Sequence, residues 1–445
     1  MKSADTGEKM AIDISKRIYS SEAQQKKEGS EVVLAGWAAD VKNMGKIAFI
    51  KLRDREGIVQ LTAFPDFAMF GEIEKIPKES VIAVRGKVKE SKLKSGAKEV
   101  LLEEIEVLSK SEPVLPIDFS GKIPTGLDKR LDNRPIDLRN LKHLDVFKIQ
   151  SKLVEGAVEW LSKNSFSIVF TPCLMGTPSE SGAEMFTVPY FKKKAYLRQD
   201  PQLHRQLTII AGLDKIADIG PSWRAELSYT TRHLCEHRGI AVELAWIRDE
   251  YDVMRVEEQL FVAMLMKVKN ECKNELERLG VAVEIPKTPF PEIRFPEAYE
   301  ILERAGKKDR KIDPDAERIL ADYAKKKYNS EIFFLNKFPF AEKPFYVMQD
   351  DDEPEYARST DMIYRGLELS SGGQREHRYE RLIENVKAKQ MNLKSVEWFT
   401  KFFAFGVPPH GGFGIGVERL TMQLLGLANV REAVLFPRDP DRLTP

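Results

Sequence analysis

Five short β-rich runs near the amino terminus constrain the fold of this chain more than any other feature. The runs are EVVLAGWAADV (31–41), KIAFIKLRD (46–54), GIVQLTAF (57–64), SVIAVRGKVKES (80–91) and KEVLLEEIEVLS (98–109). A single helix-like insert, DFAMFGEIEKI, separates the third run from the fourth. Five short strands with one such insert are typical of a small Greek-key barrel of the OB type, so we predict one at residues 29–112. A generic small β-barrel that binds nothing would show the same pattern.

The remaining sequence predicts a larger domain of a different kind. Residues 113–142 are rich in proline, aspartate and arginine, which is typical of a linker or hinge, and a long helical pattern follows at 147–164. Strand-like runs then recur irregularly: FSIVFTP, AYLRQDP, IADIGPSWRAE, IAVELAWI, FYVMQ, YRGLELSSGG and GGFGIGVERL. This mixture predicts an α+β domain at 143–445, built on a mostly antiparallel sheet flanked by helices, with an insertion at about 285–335. Residues 1–28 are expected to form a polar extension.

Composition excludes several classes of protein. The formal net charge is +1, so a nucleic-acid partner would have to be held by local patches. The three cysteines form no CxxC pair, which argues against a zinc site and favours a reducing, cytoplasmic location. The sequence has neither an apolar run long enough for a membrane span nor a secretory signal, so no membrane association is expected.

Three segments of the second domain combine arginine, carboxylate and small residues. The first, PSWRAE, carries Arg224 and Glu226, which we predict to share one face of a strand, and is followed by the loop residues Arg232 and His233. The second segment, GLELSSGGQREH, carries Glu368, Ser371 and Arg375, and the third, PPHGGFGIGVERL, carries Gly416, Glu418 and Arg419. Each segment has a plain alternative when it is taken alone: a salt-bridged hairpin for the first, a glycine-rich turn for the second and a flexible loop for the third.

Taken together and in this order, the segments resemble the motifs of class II aminoacyl-tRNA synthetases. WRAE with the following RH loop resembles motif 2, GIGVERL resembles motif 3, and FSIVFTP, which ends at Pro172, resembles motif 1, the dimer interface of that family. RLDNR (130–134), GGQREH (372–377) and the terminal LFPRDPDRLTP narrow the resemblance to aspartyl-tRNA synthetases of the archaeal and eukaryotic type. There is no GxGxxG after a strand and no Walker A sequence, so ATP would be bound without either phosphate-binding loop.

The resemblance implies a role for each matching residue. Arg224 would hold the α-phosphate of ATP and act as a catalytic residue together with Arg419. Glu226 would contact the adenine amino group, while His233 and Arg419 bind the outer phosphates. Glu368 and Ser371 would hold Mg²⁺, with oxygen ligands of the kind this ion prefers. Further ATP contacts are implied for Arg232, Leu234, Glu368, Gly416 and Glu418.

The predicted aspartate pocket departs from the family pattern. The resemblance implies amino-acid contacts at Glu180, Asp200, Gln202, Arg205, Ser371 and Arg375. At three positions the chain differs: Asp200 stands for the family's serine, Arg205 for its lysine and Ala241 for its aspartate. We hypothesise that Asp200 replaces the missing carboxylate near the substrate ammonium group. Arg205 and Arg375 are expected to present two cations with no counter-carboxylate, which would favour aspartate over neutral asparagine.

The same resemblance implies that the barrel reads a tRNA anticodon. Phe49 would stack on a base and Gln60 would contact the central uridine, with Arg53 and Glu99 as further contacts. Lysines 87, 89, 92, 94 and 98 form a cluster suited to the phosphate backbone. Ala39 is the residue after GWA in the first strand. Family members that discriminate between tRNA(Asp) and tRNA(Asn) carry larger side chains there, so tRNA(Asn) is considered beside tRNA(Asp).

The predicted activity is therefore aspartate–tRNA ligation by a homodimer that uses ATP, L-aspartate and Mg²⁺. Two alternatives remain at this point. One is a synthetase-like amino-acid or amide ligase that never binds tRNA, against which the barrel argues. The other is a non-catalytic RNA-binding paralogue, against which the intact Arg224, Glu226, Glu368, Ser371 and Arg419 argue.

Overall fold

The computed structural model of the chain describes residues 12–91, 96–177, 185–227 and 230–445. Two compact units make up the chain, Met1–Gly126 and Leu127–Pro445.

The first unit is a closed five-stranded barrel, as predicted. Its strands are β1 (Glu31–Asn43), β2 (Ala48–Arg53), β3 (Ile58–Ala63), β4 (Val81–Glu90) and β5 (Lys98–Ser109). They close in the order β1-β2-β3-β5-β4, with β3 and β5 parallel and the other neighbours antiparallel. Alternate residues of each strand fill the interior, among them the fully buried Leu34, Ile50 and Leu61, so the alternating sequence pattern determines which face is core.

Two short helical pieces close the barrel. Helix α1 (Ser20–Gln25) lies within the predicted polar extension, and Ser20 donates hydrogen bonds to Asp54 from both its backbone nitrogen (2.6 Å) and its hydroxyl (2.7 Å). The insert between β3 and β4 forms a 3₁₀ helix at Phe70–Lys75, and its Ile73 is buried. Part of the extension is thus packed structure.

The second unit contains the remaining eleven strands and eleven helices of the described residues. The strands are β6 (Ser167–Val169), β7 (Leu174–Met175), β8 (Thr187–Tyr190), β9 (Lys193–Leu197), β10 (Lys215–Trp223), β11 (Glu236–Ala245), β12 (Glu292–Arg294), β13 (Ile332–Asn336), β14 (Ser359–Tyr364), β15 (Leu367–Gln374) and β16 (His410–Gly416). The helices are α2 (Leu127–Asp132), α3 (Arg134–Asp137), α4 (Leu141–Lys163), α5 (Gln202–Ile210), α6 (Glu250–Glu271), α7 (Lys273–Leu279), α8 (Glu297–Arg304), α9 (Pro314–Tyr328), α10 (Tyr379–Ala388), α11 (Leu393–Thr400) and α12 (Val417–Leu425).

An eight-stranded sheet organises this unit, in the order β12-β13-β14-β15-β16-β11-β10-β6. Only the outermost pairs, β12 with β13 and β10 with β6, are parallel, so the predicted mostly antiparallel sheet is confirmed. Both β12 and β13 fall inside the segment predicted as an insertion at about 285–335, which therefore supplies two strands of the main sheet as well as helices. A separate three-stranded sheet has the order β7-β9-β8.

Helices α4 and α6 pack together in the largest hydrophobic core of the unit. Asn140 caps α4 by accepting a hydrogen bond from the backbone nitrogen of Lys142 at 2.9 Å. Ile149, Leu153, Ala157 and Leu161 recur at helical spacing and are fully buried, which is the pattern that predicted this helix.

Two details correct the sequence interpretation. The apolar run FYVMQ (345–349) is not a strand but forms only the isolated bridges Val347–Arg375 and Gln349–Ala357. Four successive side chains, from Phe345 to Met348, are buried, so the run fills the core as a loop and shows no strand alternation. The second half of the predicted linker, from residue 127, forms helices, and Arg134 there is 1% exposed.

Arg134 joins the two ends of the second unit. Its guanidinium donates to the backbone oxygens of Leu435 (3.1 Å), Glu432 (3.0 Å) and Val434 (2.9 Å). The RLDNR and carboxyl-terminal segments, which the sequence analysis singled out separately, therefore contact each other in space.

Candidate active site

A cavity of about 420 Å³ opens over four adjacent strands of the main sheet, β15, β16, β11 and β10. The structure brings together in its wall every described residue that was predicted to bind ATP, metal or the amino acid. They are Asp200, Gln202, Arg205, Arg224, Glu226, Arg232, His233, Leu234, Glu368, Ser371, Arg375, Gly416, Glu418 and Arg419. Glu180 lies outside the described residues. The placement is a finding, whereas the individual roles stay predictions.

Glycines form the floor of this cavity. A Cβ atom at Gly412 would lie 2.0 Å from the backbone oxygen of Val242, and one at Gly372 would lie 2.7 Å from the backbone oxygen of Gly412. Only glycine permits this close approach of β11, β15 and β16. The glycine-rich third segment is therefore a strand, not the flexible loop that was the alternative.

Arg224 and Glu226 lie at one end of the cavity, which we call the nucleotide end. Strand β10 ends at Trp223, so the prediction that they share a strand face is wrong. Both residues follow the strand, where the backbone nitrogen of Arg224 donates to the oxygen of Cys235 at 3.0 Å. The Arg224 side chain is 43% exposed, and 3.8 Å separates its Nη1 from Glu226 Oε1. This guanidinium is held loosely and can turn toward an anion.

Arg419 and the imidazole of His233 complete the lining of the nucleotide end. His233 Nε2 lies 3.7 Å from Glu226 Oε2, and burial lowers the pKa of His233. Arg419 Nη1 donates to the backbone oxygen of Glu368 at 3.1 Å, while 3.9 Å separates it from the Glu368 carboxylate. Arg419 is the third residue of α12, in the first turn, where the helix dipole also favours an anion.

Glu418 has a different environment from the other predicted ATP contacts. Its carboxylate is almost fully buried and accepts hydrogen bonds from the backbone nitrogen of Arg238, at 3.1 and 3.0 Å. Burial raises the pKa of Glu418 to about 7. The side chain therefore ties α12 to β11 and supports the cavity wall.

Glu368 and Ser371 face a third oxygen ligand that the sequence analysis missed. Asp361 of β14 lies opposite Ser371 of β15 in the sheet register. Burial raises the pKa of Asp361 to about 6, Lys343 opposes this, and the charge of Glu368 adds to it. The hairpin that pairs Asp361 with Ser371 was the feature of the sequence that could have identified Asp361. The described residues contain no group of three or more His, Cys, Asp or Glu side chains that could hold a metal ion, so a magnesium ion held by Asp361, Glu368 and Ser371 would need phosphate oxygens as well.

The opposite face of β15 carries a buried carboxyl group. Ser370 alternates with Ser371 and donates a hydrogen bond from its hydroxyl to Glu257 of α6. Glu257 is fully buried, and burial raises its pKa to about 8. It is therefore protonated at neutral pH and leaves no charge beneath this strand.

Arg205 and Arg375 form the other end of the cavity, the amino-acid end, with Glu243 between them. Glu243 is fully buried, and its oxygens lie 2.9 Å from Arg375 Nε and 3.6 Å from Arg205 Nε. The expectation of two cations with no counter-carboxylate is therefore wrong. Burial opposes ionisation of Glu243, but Arg375 and Arg205 hold its pKa below the ordinary value.

Asp200 and Gln202 complete a closed network with these three residues. Asp200 Oδ1 lies 3.0 Å from Arg205 Nη1, and Gln202 Oε1 accepts from Arg205 Nη2 (2.5 Å) and from Arg375 Nη2 (2.9 Å). Burial would raise the pKa of Asp200, but the charges of Arg205, Arg375 and Arg224 keep it below its usual value. Two carboxylates thus balance two guanidinium groups.

Strand β11 places His237, Gly239 and Ala241 on the cavity face. Ala241 lines the cavity, so no carboxylate projects into it from this position of the strand. Burial, with Arg224 and Arg419 nearby, lowers the pKa of His237 to about 4. A neutral imidazole in this place can stack against a base, and it is not repelled by Arg224 and Arg419 as a cation would be.

In the barrel, three of the four predicted anticodon residues share one outer surface. Lys51 pairs with Gln60, Gln60 pairs with Glu99, and Phe49 is two residues from Lys51 on the same face. Gln60 Nε2 donates to Glu99 Oε2 at 2.8 Å. Arg53 instead is 5% exposed and makes two hydrogen bonds to Glu79, at 2.8 and 2.6 Å. Of the predicted lysine cluster, residues 92 and 94 lie outside the described residues.

The fold and the cavity define a class of protein. A family described as tRNA synthetases class II (D, K and N) matches residues 126–440, and an OB-fold nucleic acid binding domain matches residues 32–108. The chain belongs to the class II aminoacyl-tRNA synthetases, and the predicted family and fold are confirmed.

Sequence relatives within the class are named as aspartate enzymes. Over 434 residues the chain is 43% identical to the aspartate–tRNA(Asp) ligase of Pyrococcus furiosus, covering 96% of this chain and 99% of that protein. Over 435 residues it is 42% identical to the aspartate–tRNA(Asp/Asn) ligase of Archaeoglobus fulgidus, covering 96% and 100%.

Solved structures of two related enzymes share the fold. Asparaginyl-tRNA synthetase from Pyrococcus horikoshii, complexed with asparaginyl-adenylate, matches with a TM-score of 0.89 and 33% identity over 96% of this chain and 99% of that one. Aspartyl-tRNA synthetase from Entamoeba histolytica matches with a TM-score of 0.86 and 29% identity over 97% of this chain and 93% of that one.

Among the described residues, no helix is both long and apolar enough to cross a bilayer.

Proposed function

We propose that this chain is an aspartate–tRNA ligase. In the first step the aspartate α-carboxylate attacks the α-phosphorus of ATP, and pyrophosphate leaves. In the second step a hydroxyl of the 3′-terminal adenosine of tRNA attacks the aspartyl carbonyl, and AMP leaves. The carrying observation is a single cavity with loosely held arginines at one end and a closed arginine–carboxylate network at the other. The 43% identity to a named aspartate–tRNA ligase supports it.

The nucleotide end would act by positioning and charge neutralisation. Arg224 would grip the α-phosphate and stabilise the charge that grows on it, because its fork matches phosphate oxygens and, among the described residues, its carboxylate neighbour Glu226 lies as far as 3.8 Å away. Arg232, His233 and Arg419 would receive the outer phosphates. The first step needs no proton transfer to the enzyme, since the attacking carboxylate is already ionised, whereas the hydroxyl of the second step releases its proton as AMP leaves.

Glu368, Ser371 and Asp361 fit a magnesium ion that arrives with ATP. They offer hard oxygen atoms of the kind this ion prefers. Burial, and then the negative charge of Glu368, raise the pKa of Asp361, and a bound dication would oppose both effects. Magnesium would neutralise the leaving pyrophosphate. The protein's part is to hold these three oxygens on adjacent strands in fixed register.

Arg375 is the proposed receptor for the side-chain carboxylate of aspartate. Glu243, Gln202 and the backbone oxygen of Gly412 hold its Nε and Nη2, so the orientation of the fork is set before substrate binds. Asp200 would accept the substrate ammonium group in place of a carboxylate at Ala241. The network then has one partner ready for the side-chain carboxylate and one for the ammonium group, and it leaves the α-carboxylate to attack ATP.

The barrel is the proposed anticodon reader, with Phe49, Gln60 and Glu99 on its binding face. Arg53 is proposed to shape this face from beneath, because its fork is committed to Glu79. We propose tRNA(Asp) as the substrate and tRNA(Asn) as a second candidate, since the Archaeoglobus fulgidus relative is named for both.

We also propose a cytoplasmic homodimer. Ile168, Phe170 and Leu174, around the segment that resembles motif 1, are exposed large apolar side chains, with Phe170 87% exposed. Apolar side chains grouped on one segment are typical of a subunit interface. A dimeric mass by light scattering that becomes monomeric in Phe170→Glu would support this, and a monomeric wild type would contradict it.

Pyrophosphate exchange is the decisive experiment. Exchange that depends on aspartate but not on asparagine, followed by charging of purified tRNA(Asp), would support the proposal. Exchange without charging of any tRNA would favour an amino-acid ligase instead. Binding of tRNA without exchange would favour a non-catalytic paralogue. Parallel charging of tRNA(Asn) decides between strict and relaxed recognition.

A further inference from the structure

Glu317 lies outside all three sequence motifs, yet it contacts two of the segments that line the cavity. It belongs to the first turn of α9, which Asp313 caps by accepting hydrogen bonds from the backbone nitrogens of Asp315 (3.0 Å) and Ala316 (2.9 Å). Pro314 occupies the first turn of the helix. The start of α9 is therefore well fixed, and Glu317 is held at a defined place with 9% exposure.

Arg232 is the first contact of Glu317. Its Nη1 donates to Glu317 Oε2 at 3.1 Å, although the two residues are separated by 85 positions in sequence. Arg232 lies on an irregular loop after β10, and its side chain is 25% exposed. A long side chain on such a loop has many conformations, and an ion pair with a fixed carboxylate restricts them. The guanidinium has five N–H donors, so one bond to Glu317 leaves the others available for a phosphate.

Glu368 is the second contact, through its backbone. The Glu317 carboxyl group faces the Glu368 backbone nitrogen; burial and the charge of Glu368 raise the pKa of Glu317 to about 7, and Arg232 opposes this. Glu317 thus holds the strand position that carries the proposed magnesium ligand while leaving the Glu368 carboxylate free to face the cavity.

Glu317 also forms part of the wall of a second cavity, of about 460 Å³, next to the first. Glu342, Lys343 and Glu368 line both cavities, and Arg310, Lys311 and Asp361 line the second. Arg232 lines only the first cavity and Glu317 only the second. Glu317 therefore supports the phosphate-facing wall from behind and does not itself project into the proposed ATP site.

We propose that Glu317 is a positioning residue for ATP: it holds Arg232 and the Glu368 backbone in one arrangement, so that the outer phosphates and magnesium meet a site already formed. The inference rests on the proposed function for the identity of the nucleotide. It assigns to α9 a part in nucleotide binding that the three motifs do not contain.

The test is a double-mutant cycle on Arg232 and Glu317, with KM for ATP measured by pyrophosphate exchange. Glu317→Ala should raise this KM about tenfold, while KM for aspartate changes by less than about twofold. Arg232→Ala should raise it as much or more. Because Glu317 acts mainly through Arg232, the double variant should be no worse than about twofold beyond Arg232→Ala alone. Glu317→Gln, which keeps the acceptor oxygen, should recover part of the loss.

Asp322→Asn is the matched control, because it removes the same charge from an exposed position of α9 and should leave every constant unchanged. Multiplying effects in the double variant, or an equal rise in both KM values for Glu317→Ala, would overturn the proposal. Calorimetric titration of the same variants with Mg·ATP, without aspartate, separates this inference from the proposed function. If the wild type shows no exchange but binds Mg·ATP, the cycle is read from Kd, and non-interacting variants there would still refute the role of Glu317.

Discussion

The two ends of the active-site cavity solve opposite electrostatic problems. Among the described residues of the nucleotide end, carboxylate oxygens stand 3.8 Å from Arg224, 3.7 Å from His233 and 3.9 Å from Arg419, and only Arg232 has a closer one, from Glu317 at 3.1 Å. At the amino-acid end Arg375 and Arg205 have carboxylate oxygens at 2.9 and 3.0 Å. The first end keeps positive charge available, whereas the second is already neutral before substrate arrives.

This difference follows from the charges of the two substrates. ATP brings several negative charges, so weakly paired and partly exposed cations can bind it without an enzyme counter-ion to displace. Aspartate brings one positive and two negative groups at fixed separations, so discrimination needs charges at fixed places. Burial with pairing supplies that rigidity, at the cost of making each group depend on the others.

Arg375→Ala should have the largest effect, because it opens the closed network. We expect kcat/KM for aspartate to fall by about 10²–10⁴-fold and the free energy of unfolding to fall by up to about 3–5 kcal/mol, since the buried Glu243 loses its closer charge partner and keeps only Arg205, at 3.6 Å. Exchange kinetics and denaturant unfolding measure the two effects. Loss of activity with unchanged stability would show that the network is not coupled to folding.

Arg224→Ala should lower activity but leave stability almost unchanged, in contrast to Arg375→Ala. Because Arg224 is 43% exposed and loosely paired, we expect the melting temperature to stay within about 2 °C while kcat for exchange falls by about 10²–10³-fold. Arg224→Lys keeps the charge but loses the fork and serves as the control. A variant that melts well below the wild type would contradict the contrast between the two ends.

Asp200→Ser should raise KM for aspartate by about 10- to 100-fold, through loss of the proposed contact with the ammonium group. The charge can be returned from the other side of the pocket with Asp200→Ser/Ala241→Asp, which should recover much of the affinity. Steady-state exchange at varied aspartate gives both values. Little change in KM for the single variant would refute the idea that the carboxylate has moved from one position to the other.

Glu257→Gln should have the smallest effect on catalysis and appear only in the pH dependence of stability. The pKa of Glu257 is raised to about 8 in the folded chain, so the folded state keeps its proton while the unfolded chain has lost it above its ordinary value near 4.5. Stability from this group is complete below pH 4.5 and is lost as pH rises toward 8, by at most about 1.4 kcal/mol per pH unit. Relative to Glu257→Gln, the wild type should therefore weaken over this range. Parallel unfolding curves at all pH values would mean that Glu257 is ionised.

The sequence predicts the residues of the nucleotide end more completely than those of the amino-acid end, and the reason is physical. The nucleotide end is built from residues that are near neighbours in three contiguous segments, so their types and spacing indicate the chemistry directly. At the amino-acid end the partner of Arg375 is Glu243, which is 132 positions away, and only the register of β11 beside β16 brings it there. The same holds for Asp361, which meets Ser371 across a hairpin, and for Glu317, whose helix carries no motif. In the barrel, strand alternation predicted the fold, but not that Arg53 would turn inward to Glu79.

The closed network at Glu243 also limits how a chain of this kind can change its substrate over generations. Any single substitution at Asp200, Arg205, Glu243 or Arg375 strands a buried charge, so the first step away from the present pocket is a step down in both folding and activity. Paths to a new specificity therefore run through paired replacements that exchange a cation and an anion together. The combination of Asp200, Arg205 and Ala241 has the form that such a concerted exchange would leave behind.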